Sequence, residues 1–98
     1  MKAILKKPGE EPKLVEIGFG NEVLTEIIGG EFDTAPALFG GMVLSRIRQE
    51  GLPFNCHFLS RYFYGNILVV GRDKGDKPCD LPGHLHNILM MALREAKR

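Results

Sequence analysis

The sequence predicts an α+β domain in two layers, with two helices packed on a mostly antiparallel sheet of about five strands in the order ββαβββα. Three observations carry this. Two short segments near the start, separated by a Pro- and Gly-containing turn, read as a hairpin. The run Ile67-Leu-Val-Val70 reads as a strand buried on both faces. Apolar residues recur at helical spacing after Asn21 and again after Asp80. At 98 residues the chain makes a single domain, 1–98, with one modest core.

The elements follow in order. Lys2–Lys6 is a strand, and Pro8-Gly9-Glu10-Glu11-Pro12 is a turn because its prolines and glycine deny regular pairing. Lys13–Ile17 returns, with Val15 and Ile17 on one face and Glu16 on the other. Asn21 caps a short helix carrying Leu24, Ile27 and Ile28, and Gly29-Gly30 ends it through a left-handed C-terminal residue. Glu31–Ala37 and Met42–Arg48 form a hairpin around Leu38-Phe39-Gly40-Gly41. Pro36 lacks an amide donor and so places its strand at an edge or bulge. Tyr62–Gly71 is the central strand, and Arg72–Cys79 is a mobile polar loop. Asp80 caps the last helix, with Pro82 in its first turn and an apolar stripe of Leu85, Ile88, Leu89, Ala92 and Ala96. Arg94, Lys97 and Arg98 lie at the helix end that favours cations.

Composition excludes several classes of function. Net charge is +1, and the two halves differ only weakly (−2 over residues 1–50, +3 over 51–98), so no global field draws the protein to nucleic acid or anionic lipid. No apolar run reaches membrane-spanning length, and the first residues lack the apolar core of a signal peptide. Cys56 and Cys79 are too few for a disulfide framework. The expectation is a cytoplasmic protein with reduced thiols and no membrane partner.

Three motifs occur in order: Glu26-Ile-Ile-Gly-Gly30 before a strand, Gly51-Leu-Pro-Phe-Asn55, and Gly65-Asn-Ile-Leu-Val-Val-Gly71. With the N-terminal strand and the Pro8-Gly9 turn, residues 1–71 resemble a small domain family of unknown function found mainly in Gram-positive bacteria, their phages and mobile elements. That resemblance implies a small bacterial or phage accessory protein and brings no catalytic residues. The family pattern follows the Asn with Arg, where this chain has Cys56; any role of that arginine is lost or passes to Arg61.

Cys56, His57, Cys79, His84 and His86 are zinc-type ligands, but adjacent Cys56 and His57 point to opposite faces of an extended chain. His84 and His86, two apart on a helix, diverge. No metal and no cofactor is therefore expected. A Cys–His nucleophile pair lacks any supporting flank, and Cys56 lies among Phe54, Phe58 and Leu59, a setting for an inert thiol. Arg46 and Arg48 share a strand face. Depending on hairpin register, Asp33 faces Arg46 with Glu31 facing Arg48, or Asp33 faces Arg48. Arg61, Tyr62, Phe63 and Tyr64 combine a cation with aromatics, as single-stranded nucleic-acid binders do. Alternation, however, puts Tyr62 and Tyr64 on the buried face of Leu68 and Val70, which disfavours nucleic acid. Met90 and Leu93 lie at the edge of the last helix's stripe, where they offer a surface for a homodimer.

The expected function is non-enzymatic binding of a protein partner. The alternatives are single-stranded nucleic-acid binding and, third, a metal- or thiol-dependent enzyme. The candidate binding residues are Asn55, His57, Arg61, Tyr62 and Tyr64, in and beside a Gly51–Tyr62 segment that is either loop or strand.

Overall fold

The computed structural model describes residues 1–96. Its strands are β1 (Lys2–Lys6), β2 (Lys13–Glu16), β3 (Phe32–Pro36), β4 (Gly41–Arg46), β5 (Phe54–Phe58), β6 (Arg61–Tyr64), β7 (Ile67–Arg72) and β8 (Pro78–Cys79). Its helices are α1 (Asn21–Ile28) and α2 (Gly83–Glu95). The main sheet runs β2-β1-β7-β4-β3, with β8 also on β7, and every pairing is antiparallel. A separate two-stranded sheet is made by β5 and β6.

The α+β class and the central β-branched strand are as the sequence predicts. β7 pairs with β1 through Ile4↔Val69 and with β4 through Val43↔Val69, so it has a neighbour on either side. Its alternate residues go to opposite faces. Ile67 and Val69 join Leu85, Leu89 and Leu93 of α2, together with Cys56, Phe58 and Phe63 of the small hairpin. Leu68 and Val70 join Leu24 and Ile28 of α1. The two helices thus cover opposite faces of the sheet, because a strand that is apolar on both sides needs a cover on each. Among the described residues there are eight strands, more than the five expected.

The expected strand Tyr62–Gly71 is two strands. Gly65, at φ 79°, turns the chain between β6 and β7, and glycine adopts that left-handed angle without strain. Tyr62 and Tyr64 therefore do not share a face with Leu68 and Val70. The segment before them contains β5, so Gly51–Tyr62 is part strand. Arg72–Cys79 is an ordered turn rather than a mobile loop. The Asp73 carboxylate accepts from the amides of Gly75 (2.8 Å) and Lys77 (2.9 Å), and β8 pairs back on β7.

Neither expected cap forms. Gly20 holds the cap position of α1, Asn21 is already helical, and no side chain caps that end. Pro82 holds the cap position of α2, while the Asp80 carboxylate instead accepts from the Lys2 amide at 2.7 Å. Gly29 does close α1, at φ 97° with its amide donating to Thr25 O.

The β3–β4 register matches neither expectation. A 3₁₀ turn at Leu38–Gly40 pairs Phe32 with Arg46 and Asp33 with Ser45. Arg46 donates to Gly29 O at 2.9 Å, where a cation faces the negative end of α1. β3 is an edge strand, as Pro36 requires. The α2 stripe is Leu85, Leu89 and Leu93, with Met90 and Ala92 packed beside it; Ile88 points outward. Leu93 is buried in the core, and Met90 packs half-buried against it. The expected cationic end falls partly on Lys97 and Arg98, which lie outside the described residues.

Candidate functional site

β5 and β6 form a hairpin with a two-residue turn, Leu59-Ser60, at φ 55° and 63°. Both angles positive is the turn that matches strand twist, although neither residue is the usual Gly or Asn. Leu59 packs against the core cluster below, which offsets the strain. The inner face of the hairpin is Cys56, Phe58 and Phe63, all buried. Simple alternation would bury Phe54 as well. A bulge at Asn55, between Phe54 and Cys56, reverses the phase and turns Phe54 outward.

The outer face is therefore aromatic. Phe54 (37 % exposed), Tyr62 (63 %) and Tyr64 (36 %) lie together on it. The His57 ring stacks on Tyr62 with centroids 4.4 Å apart and planes 14° from parallel. Phe54 meets Tyr64 edge-on at 5.4 Å and Tyr62 at 6.3 Å. Such contacts hold the rings in fixed orientations before any partner arrives. The Arg61 guanidinium lies 5.1 Å from the centroid of Phe63, which is itself buried, so the cation covers the hairpin's flank. Beyond Tyr64 runs an open groove lined by Ile47, Gln49, Glu50, Gly51 and Leu52.

Three of the five residues anticipated from sequence meet on this outer face, His57, Tyr62 and Tyr64, while Arg61 lies on the flank over Phe63. Asn55 does not join them. Its side chain is buried and its Nδ2 donates to Lys6 O (2.8 Å) and Gly65 O (2.7 Å), tying the hairpin to β1 and to the turn before β7. Phe54, Ile47 and Gln49 were missed. For Phe54 the available signal was the short polar Asn55 inside an apolar run, a mark of a bulge.

The zinc-type ligands are dispersed. Cys56 is buried in the core, His57 lies against Tyr62, and His86 Nε2 contacts Leu81 O at 2.9 Å. Among the described residues, no three His, Cys, Asp or Glu converge as a metal site. Burial, then the charges of Asp73 and Asp80, push the Cys79 thiol above its ordinary value and disfavour the thiolate a nucleophile needs. Arg46 and Arg48 border a shallow cleft with Glu31 and Ile47, and neither arginine joins an ion pair among the described residues. No described helix is long and apolar enough to cross a membrane.

No curated protein and no solved structure matches the chain. The family described as Domain of unknown function (DUF3846) matches residues 1–93, and the chain belongs to that family. The match reaches beyond residue 71 to take in β8 and most of α2.

Proposed function

We propose that this DUF3846 member is a non-enzymatic accessory protein that binds a protein partner through the outer face of the β5–β6 hairpin. The supporting observation is the cluster of exposed Phe54, Tyr62 and Tyr64 with half-buried His57, on a hairpin whose other face is anchored in the core. An exposed aromatic cluster costs solubility unless something covers it, and tyrosine is enriched where protein partners dock. The rings are held by one another and by a rigid base, so little side-chain freedom is lost on docking. The bacterial or phage setting rests on the resemblance described for residues 1–71.

The second reading is single-stranded nucleic acid. The exposure of Tyr62 and Tyr64 favours it, since it removes the burial that had argued against stacking on bases. Protein remains preferred because the stack of His57 on Tyr62 covers one face of the ring that bases need. Glu50 also borders the adjoining groove, where a phosphate backbone would meet repulsion. An enzymatic reading has the least support, with Cys56 in the core and the Cys79 thiolate disfavoured.

The test is affinity capture from a lysate of the source organism, with and without nuclease. The reading expects a protein retained in near-stoichiometric amount whether or not nuclease is present. Retention that nuclease abolishes supports the second reading, and no retained protein contradicts the first.

A further inference from the structure

From the hairpin's backbone we infer that β6 takes an extended peptide of the partner as an added strand along its free edge; this rests on the protein-binding reading above. In a hairpin with a two-residue turn, the closing pair Phe58–Arg61 exchanges hydrogen bonds, so the next pair, His57–Tyr62, does not. The amide and carbonyl of Tyr62 then point away from β5, along the outer edge of β6. After the bulge the same holds for Tyr64. Two observed bonds agree with this phase. Gly65 N donates back to Pro53 O at 2.8 Å, and Tyr64 N donates outward to Gln49 Oε1 at 2.9 Å.

Gln49 therefore stands where the carbonyl of a neighbouring strand would stand. Its Nε2 donates to Arg46 O at 2.9 Å, so the side chain bridges β4 to the edge of β6. No such bridge reaches Tyr62: among the described residues neither of its outward backbone groups has a partner. An exposed edge with unpaired groups is a template for strand addition. The groove beside it, with Ile47, Leu52 and Tyr64, accepts an apolar side chain. Arg61, exposed and in no ion pair among the described residues, begins β6 beside Tyr62, while Glu50 borders the groove with the opposite charge, so the edge carries no net charge preference. The occupant is an extended peptide segment with an apolar anchor for the groove, its backbone pairing with Tyr62 and, after Gln49 swings aside, with Tyr64.

The probe is a phage-displayed library of random linear nonapeptides selected on the intact protein, with the best peptide then resynthesised. The expected result is enrichment of peptides that share one apolar anchor position. N-methylation of backbone amides should weaken binding tenfold or more at alternate positions and little at those between, because only every second amide faces β6. Amide exchange at Tyr62 should slow in the complex, and Gln49→Ala should tighten binding several-fold by freeing the Tyr64 amide. Binding that tolerates N-methylation at every position overturns strand addition while leaving the aromatic face as a docking surface. A library that enriches nothing also overturns it, and lysate capture then decides the broader reading separately. Retention of a twelve-residue oligothymidylate, lost in Tyr62→Ala, overturns both in favour of nucleic acid.

Discussion

Replacing Asn55 by Ala tests whether this residue is a structural clamp rather than a contact residue. Its Nδ2 makes two short bonds, to Lys6 O 49 positions away and to Gly65 O. Removing the donor leaves two buried carbonyls without that partner, at about 1–3 kcal/mol each. Carbonyls in and beside strands retain a second acceptor site, so the lower half of the range applies, and the total is about 2–4 kcal/mol. A domain of this size has about 5–15 kcal/mol in all. At about 4–8 °C per kcal/mol, the midpoint of thermal unfolding should fall by roughly 8–32 °C. Urea unfolding followed by far-UV circular dichroism measures the same loss. Asn55→Asp sharpens the test at constant volume. Above its pKa the introduced carboxylate faces two carbonyl oxygens and destabilises at least as much as Ala. The folded state favours the protonated form, so its pKa is raised there, and the penalty is relieved as pH falls through that raised value. An Asn55→Ala protein within about 0.5 kcal/mol of the parent, the scatter of ordinary surface substitutions, refutes the clamp.

Other substitutions probe the backbone and the thiol. In Gly71→Ala the new Cβ would overlap Asp80 O and press on Cys79 Sγ at 3.1 Å, so β8 must leave β7. A loss of about 1–3 kcal/mol is expected by chemical denaturation, while Gly83→Ala, with open space around it, should be neutral or stabilising. Ser60→Gly relieves a residue held at φ 63° and should raise stability by about 0.5–1 kcal/mol in the same assay. Cys79 should react with iodoacetamide at neutral pH more slowly than a model thiol, with its reactivity rising only above the ordinary thiol pKa. Because folding raises that pKa, the unfolded chain releases the Cys79 proton first. The contribution of Cys79 to stability should fall as pH rises through the unfolded value, and Cys79→Ser should remove that slope.

Local chemistry made much of the fold legible. The β-branched run of β7, the Gly29 helix stop and the edge position demanded by Pro36 each rest on a property of the residue itself. The misreadings share another cause. Leu59-Ser60 forms a tight turn without a turn dipeptide, because Leu59 is held by the core rather than by its own preference. Gly65-Asn66 did carry a turn signal, which the apolar runs on either side masked. The face of α2 was ambiguous. A stripe through Ile88 and one through Leu93 both fit helical spacing, and only packing against β5–β6 and β7 selects Leu93. For the site, residue type found the aromatics, but their exposure depends on the Asn55 bulge. The burial of Asn55 depends in turn on Lys6, far away in sequence.

The outer face of β5–β6 is the proposed docking surface for a protein partner. Paired affinity captures from the source lysate test it most directly. One uses Phe54→Ser/Tyr62→Ser, and the other uses Ile88→Ser/Met91→Ser on the exposed side of α2 (45 % and 56 % exposed), each first verified as folded by its unfolding transition. The hairpin variant should lose the captured protein by tenfold or more, and the helix variant should keep it. Full retention by the hairpin variant, or loss confined to the helix variant, contradicts the claim.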